Sequence, residues 1–472
     1  MEKPIHIAVV ASPGYTHFLP IVLFSKRLVQ LYPHFHIACL IPSLGPPSPS
    51  SKTIFQTLPP NITPTFLPPV DPTHLPQGIP PAGQIQLSVT LSLPSIRKAL
   101  KSLTSTTPPL VALVVDTFAV EALELAKDLN LFSYVYFPVS ATTVSLHFHL
   151  PKLDQETSCE YRDLHDPIMI PGCSVPLHGK DLYTPAQDRS SQVYKLLLKR
   201  IKLFSLADGL FVNSFLEMEN GPIVALSEGG SKGEYPPVYP VGPIVQTEVG
   251  SRDGNALECV EWLDRQEPCS VLFVCFGSGG TLSQEQMNEL AWGLELSGHR
   301  FLWAVRPPDN VAFAGYLGGN DDVDPLEFLP SGFLERTKGR GLVVSWWAPQ
   351  VEVLRHGSVG GFLSHCGWNS TMESVVNGVP LITWPLFAEQ RMNAIVISEG
   401  LKTGIRPRVN ENGVVERDEV AEVVRCLIEG EKGREMRERM KKLKEASTSA
   451  MKEDGSSTKI LSQLVLKWKN LA

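Results

Sequence analysis

Short runs of β-branched and other apolar residues recur along this chain, separated by segments whose apolar positions fall three and four apart. Ile5–Val10, Phe35–Ile41, Gly209–Val212 and residues 111–115 and 134–137 read as buried strands, and residues 19–31 and 120–129 as helices. Strands that are apolar throughout, alternating with helical stretches, predict an open parallel sheet with crossover helices. A Pro- and Ser-rich tract, residues 42–81, interrupts the alternation and reads mostly as loop. The pattern then restarts, with strands expected at residues 270–276, Arg300–Val305, 342–346, 361–364 and 380–383. Ser283 and Gln286 have the spacing of a capping box, and Met287, Leu290, Ala291 and Leu294 share one face of the helix it would open. Between the two halves VGPIVQTEVGSRDG, residues 241–254, has the composition of a linker. The fold class predicted is α/β: two doubly wound, Rossmann-like halves facing across a cleft, with both sets of strand ends at a shared site.

A length of 472 residues is more than one core ordinarily holds, which agrees with two domains. The net charge of −7 supplies no basic field and argues against nucleic acid as a partner. No stretch approaches the ~20 apolar residues of a membrane span. MEKPIHIAVVASPGYTHF reads as a first strand, not a signal peptide. The eight cysteines contain no CxxC pair, so neither a zinc site nor a disulfide framework is expected.

The chemistry concentrates in residues 347–390, WAPQVEVLRHGSVGGFLSHCGWNSTMESVVNGVPLITWPLFAEQ. Trp347 offers a flat apolar face for a base. His365, Asn369 and Ser370 fall where a strand should turn into a helix, and Glu373 lies on that helix. A helix start suits phosphate, because its unpaired N–H groups and its dipole both favour negative charge. In the first half, His17 is expected in the loop after the first strand, just before a helix, and Asp116 ends the strand at 111–115 on the same edge of the sheet. An imidazole can deprotonate a phenol near neutral pH, and a carboxylate that accepts from Nδ1 would leave Nε2 for the acceptor. Taken singly, each of these residues is better explained as a helix cap, a core aromatic or a surface group.

Residues 347–390 closely resemble, without a gap, the plant secondary product glycosyltransferase box, the signature of plant family 1 UDP-glycosyltransferases. The flanking SPGYTHFLP and STKILSQLVLKW resemble the hydroquinone (arbutin synthase-like) glucosyltransferase branch. The resemblance implies the GT-B fold: an acceptor-binding domain over residues 1–243, a linker at 244–256 and a UDP-sugar-binding domain over 257–454, with a last helix at 455–472 packing back on the first domain. It implies His17 as general base and Asp116 as its partner. It assigns uracil to Trp347, Ala348 and Gln350, ribose to Glu373, and the diphosphate to Ser278, His365, Gly367, Asn369 and Ser370. The sugar hydroxyls fall to Trp368, Glu389 and Gln390, where Glu389 stands in place of the family's frequent Asp and Gln390 is typical of glucose users. Phe118, Phe148 and Leu182 become candidate acceptor-pocket walls.

The activity expected is inverting transfer from UDP-glucose, a co-substrate and not a resident cofactor, to a small phenol, by a cytoplasmic monomer that needs no metal. C- or N-glycosyl transfer on the same donor site, or a GT-B-fold UDP-sugar hydrolase or epimerase, are the alternatives. Asp322-Val323-Asp324 matches the Asp-x-Asp manganese pattern but lies in GGNDDVDP, the composition of a surface loop. FGSGG lacks the GxSxG spacing of a hydrolase elbow, and no GxGxxG follows the first strand.

Overall fold

A computed structural model describes residues 3–44, 54–55, 57–71, 73, 75, 79, 81–106, 108–247, 254–314 and 323–469. The chain divides into two compact units. The first comprises Met1–Pro176, Pro185–Val245 and Ser449–Ala472; the second comprises Leu177–Thr184 and Gln246–Thr448.

The first unit is built on seven strands: β1 (Ile5–Val10), β2 (Phe35–Ile41), β3 (Ile62–Phe66), β4 (Leu110–Asp116), β5 (Phe132–Phe137), β6 (Gly209–Val212) and β7 (Val238–Pro240). They pair throughout in parallel, in the order β3-β2-β1-β4-β5-β6-β7. The second unit has β8 (Val271–Cys275), β9 (Arg300–Val305), β10 (Gly341–Ser345), β11 (Val359–Ser364), β12 (Leu381–Thr383) and β13 (Gly404–Ile405), also parallel, in the order β10-β9-β8-β11-β12-β13. Each sheet therefore reverses its winding once, between β1 and β4 in the first and between β8 and β11 in the second. Loops that leave the carboxyl ends of two such strands diverge and open a crevice there. Both units are Rossmann-like, the composition of a GT-B fold.

Burial explains why these segments are strands. Every residue of β4 is buried, as is every residue of β11, so both need apolar residues on both faces. In the first unit Ile7, Val9 and Val114 pack beneath Phe24, Tyr136 and Phe211. Leu461, Leu464, Val465 and Trp468 of the last helix, Ser456–Lys469, join the same core, and Trp468 Nε1 donates to the Tyr134 hydroxyl at 3.0 Å. In the second unit Leu272, Val274 and Leu363 meet Leu290, Leu294, Val420 and Leu427.

Several expectations need correction. The tract read as loop contains β3, an edge strand with only Ile62 fully buried, and Pro64 is tolerated because an edge strand has one unpaired side. A helix, Pro81–Thr104, follows it, and its Gly83 and Pro94 hid the helical pattern. His17 does not lie before a helix but in the first turn of one, Tyr15–Leu31; Gly14, at φ 99°, makes the bend from the strand, and its carbonyl accepts from the His17 and Phe18 N–H groups. The capping box is half made. Ser283 Oγ accepts from Gln286 N, but the Gln286 side chain bonds both backbone polar groups of Val415 instead of reaching back. Part of the expected linker, residues 248–253, lies outside the described residues, as does Asp322.

Candidate active site

The crevice of the second unit forms where the segments after β8 and β11 meet. Gly277 turns the chain after β8 at φ 74°, and a methyl group added to it would sit 2.6 Å from Cε1 of His365; one added to Gly367 would sit 2.5 Å from Nε2. The imidazole is thus held between two backbone segments that come this close only because both residues lack a side chain. Burial pulls the His365 pKa down to about 4, so the ring is neutral near pH 7. Its buried Nδ1 has no hydrogen-bond partner among the described residues. A neutral imidazole here can give an anion one N–H without bringing a charge.

Three turns of the second unit carry non-glycine residues at positive φ: Trp346 at 68°, Cys366 at 63° and Ala388 at 53°. Each such conformation costs on the order of 1–3 kcal/mol and persists only where neighbours fix it. Trp346 N donates to Val305 O at 2.8 Å, Asn393 Nδ2 to Cys366 O at 3.0 Å, and Thr184 N to Ala388 O at 3.1 Å. These turns present Trp347, the start of helix Trp368–Asn377, and the Glu389-Gln390 pair.

Within the crevice the expected residues are partly tied to one another. Trp347 is half-exposed, whereas Ala348 and Trp368 are buried and Ser278 is exposed. Gln350, first in helix Gln350–Arg355, donates from Nε2 to Glu373 Oε2 at 2.6 Å and to Ser370 Oγ at 2.9 Å. Burial pushes the Glu373 pKa up to about 7 against the opposing pull of the Gln350 N–H. Asn369 and Ser370 stand in the first turn of helix Trp368–Asn377, capped by Gly367. Glu389 occupies the N-cap of helix Gln390–Ile395, and Gln390 Oε1 accepts from the backbone N–H groups of Leu386 and Phe387. That fixes the Gln390 amide with its nitrogen as the group it can turn to a ligand.

The crevice of the first unit, at the β1/β4 reversal, holds His17 and Asp116. His17 Nδ1 lies 3.0 Å from Asp116 Oδ2; the imidazole is 17% exposed and the carboxylate 0%. Asp116 Oδ1 accepts from the Phe118 N–H at 3.1 Å, so one carboxylate orients the imidazole and pins the next turn. Phe118 meets the His17 ring edge-on, centroids 4.7 Å apart. Of the other proposed walls, Phe148 stacks on Tyr235 at 4.2 Å, and Leu182 is fully buried in the second unit. The segment carrying Leu182 is tied down there by Asp181, whose Oδ1 pairs with Arg406 Nη2 at 3.4 Å.

Residues 235–444 match the family model described as UDP-glucoronosyl and UDP-glucosyl transferase. The hydroquinone glucosyltransferase of Rauvolfia serpentina is 50% identical over 471 residues, covering 100% of this chain and 99% of the relative. Among solved structures, Phytolacca americana UGT2 complexed with UDP-2-fluoro-glucose and pterostilbene is similar with a TM-score of 0.89 at 48% identity, covering 98% of this chain and 99% of that one. A UDP-glucosyltransferase from Polygonum tinctorium capable of glucosylating indoxyl, in complex with 3,4-dichloroaniline, gives a TM-score of 0.91 at 47% identity, with 99% of each chain covered. The chain belongs to the plant family 1 UDP-glycosyltransferases, in the hydroquinone glucosyltransferase branch.

Some features of this UDP-glycosyltransferase escaped the sequence. Asn393 holds the Cys366 turn, and its place three residues beyond Gln390 on one short helix was the only available signal. The paired glycines around His365 are recognisable only once the two loops are seen together. Asp324, the described end of the Asp-x-Asp match, accepts from Leu326 N and Ser345 Oγ, both at 3.1 Å. Among the described residues no cluster of three or more His, Cys, Asp or Glu could hold a metal, and no helix is long and apolar enough to cross a membrane.

Proposed function

We propose that this UDP-glycosyltransferase is an inverting glucosyltransferase that uses UDP-glucose to form β-glucosides of small phenols. The observation that carries the reading is the His17–Asp116 pair, in which the carboxylate occupies Nδ1 and leaves Nε2 for an acceptor hydroxyl. Nε2 takes the phenolic proton as the oxygen attacks the anomeric carbon from the face opposite UDP. The bond to the UDP oxygen breaks through an oxocarbenium-like transition state, UDP departs as an anion, and Asp116 stabilises the imidazolium that remains. The names of the similar proteins support the donor and the acceptor class: a hydroquinone glucosyltransferase, and a relative complexed with UDP-2-fluoro-glucose and pterostilbene.

The second unit carries the donor. Trp347 stacks on uracil; Ala348 offers its backbone, and Gln350, whose Nε2 is engaged by Glu373, offers its carbonyl to the ring edge. Glu373 accepts from the ribose hydroxyls. Ser278, His365, Gly367, Asn369 and Ser370 surround the diphosphate, whose charge is met by helix-terminal N–H groups with no required metal. Trp368, Glu389 and Gln390 read the glucose. The first unit carries the acceptor against Phe118, and the enzyme works as a cytoplasmic monomer. Incubation with UDP-glucose alone, and then with a panel of phenols and anilines under mass spectrometry, tests the reading. Acceptor-dependent gain of one hexose, released by a β-glucosidase, is expected. UDP release without transfer would instead establish a hydrolase, and a product resistant to acid and glycosidase would establish a carbon–carbon glycoside.

A further inference from the structure

A stretch of chain that the mechanism above leaves without a task is fastened to the loop that carries Glu389 and Gln390. Residues Leu177–Thr184 pack with the second unit, although the chain on both sides of them belongs to the first. Their regular structure is a 3-10 turn, Gly179–Asp181, and the first residue of another, Thr184–Gln187. Turns this short do not fix a segment by themselves, and side chains do so here. Leu177, Leu182 and Tyr183 are buried. Asp181 is buried too, and its Oδ1 pairs with Nη2 of Arg406 at 3.4 Å. Arg406 follows β13, whose register with β12, Leu381 to Gly404 and Ile382 to Ile405, sets it beside the end of β12. The chain that leaves β12 there forms the loop that ends in Ala388, Glu389 and Gln390. Further along the strap, Thr184 N donates to Ala388 O at 3.1 Å. The strap is thus held at the root of the loop by an ion pair and at its tip by a backbone hydrogen bond.

Ala388 is a residue that needs fixing, because at φ 53° it holds a conformation that persists only where neighbours impose it. From the other side, Gln390 Oε1 accepts from Leu386 N and Phe387 N, so the direction of its amide follows the path of the same loop. We propose that Leu177–Thr184 is a sugar-positioning strap in which Asp181 is a positioning residue. Held by Arg406, Asp181 lets Thr184 set the Ala388 turn, and the turn aims the Glu389 and Gln390 side chains at the sugar. The inference rests on the reading of Glu389 and Gln390 as glucose contacts, which it deepens by naming what orients them. It gives the strap no part in holding uracil, ribose or phosphate, so the loss of the strap is felt by the sugar and not by UDP.

The test separates sugar from nucleotide. Dissociation constants of UDP and UDP-glucose are measured by calorimetry, without acceptor, for the native enzyme, Asp181→Ala, Thr184→Pro and Glu389→Ala. Thr184→Pro removes the N–H that meets Ala388 at a residue that opens a 3-10 turn, where the fixed φ of proline fits. Asp181→Ala and Thr184→Pro are each expected to weaken UDP-glucose about tenfold while UDP changes less than about twofold. Parallel losses for UDP and UDP-glucose in either variant, or an unchanged affinity for UDP-glucose, would overturn the proposal and leave the strap as a structural part of the unit. Should Asp181→Ala not fold, Thr184→Pro, which keeps Asp181 and Arg406, decides the outcome. Glu389→Ala checks the underlying reading by itself: if its affinities for UDP and UDP-glucose move together, Glu389 does not read the sugar. Strap variants that still lower UDP-glucose selectively then uphold the strap while that reading fails, and strap variants without this selectivity defeat it.

Discussion

Two histidines stand at the sheet reversals of the two units, His17 after β1 and His365 after β11, on opposite sides of the reversal, and their surroundings are opposite. His17 is partly exposed and faces a fully buried carboxylate. His365 is buried between two glycines, and its Nδ1 lacks a partner among the described residues. A dry backbone cradle penalises a charged imidazole, and burial lowers the His365 pKa to about 4. On the proposed reading, the first ring takes up a proton during the reaction, and the second stays neutral and donates to an anion. The fold supplies the position, and the neighbour decides the role.

The sharpest way to break this comparison is to remove the first ring. His17→Ala should lower kcat/KM for a phenol by about 10³, within the usual range for a general base, while UDP binds with nearly the same affinity in calorimetry. Loss of UDP affinity together with transfer would contradict the division of labour. Asp116→Asn should cost less, about 10²-fold on the same scale, because an amide still holds the ring but does not stabilise its cation. The Asn variant should also unfold at a lower temperature, since Asp116 is fully buried and bonded to the Phe118 N–H.

The comparison also marks what a sequence can carry. β4 and β11 were legible because they are buried end to end, so their apolar runs are unbroken. β3 was not, because an edge strand needs little apolar character and Ile-Thr-Pro-Thr-Phe shows little. Helix Pro81–Thr104 is rich in Ser and Thr; Ser88 and Ser92 satisfy their hydroxyls on the preceding turn, at Ile85 O and Ser88 O, which conceals a helical face from a hydrophobicity pattern. At the sites, spacing and resemblance picked out His17, Asp116, His365 and Glu373. The cradle around His365 and the Asp181–Arg406 pair join residues far apart in the chain, and no local pattern encodes such contacts.

The second ring can be displaced without touching it. Gly367 has an ordinary φ of −59°, so Gly367→Ala adds a methyl group without backbone strain, and that group would overlap Nε2 of His365. UDP affinity should fall by about 10- to 100-fold, the cost of roughly one to two charge-assisted hydrogen bonds. The His17–Asp116 pair, in the other unit, should be unaffected, so kcat at saturating donor should change far less than the donor KM. Equal losses in kcat and affinity would show that the cradle acts on the chemical step.

The smallest expected effect separates the buried groups of the donor crevice by their protons. On the proposed reading Glu373, raised to about 7, must be ionised to accept both ribose hydroxyls. Uridine, which has no phosphate to titrate, should therefore bind more tightly as pH rises from 6.5 to 8, by a few-fold. The free protein should do the reverse in that window. A carboxyl whose folded pKa is raised holds its proton above the unfolded value of 4.5, so its contribution is fully present below 4.5 and is lost as pH climbs through about 7. His365 has the opposite sign: its folded pKa of about 4 lies below 6.5, so stability rises with pH between those values and is level above them. Working above pH 6.5 leaves Glu373 as the titrating member of the pair. Glu373→Gln should flatten the uridine profile and weaken binding at pH 8, because an amide offers one acceptor in place of two. A profile that keeps its slope in that variant would assign the proton to another group and detach Glu373 from the ribose.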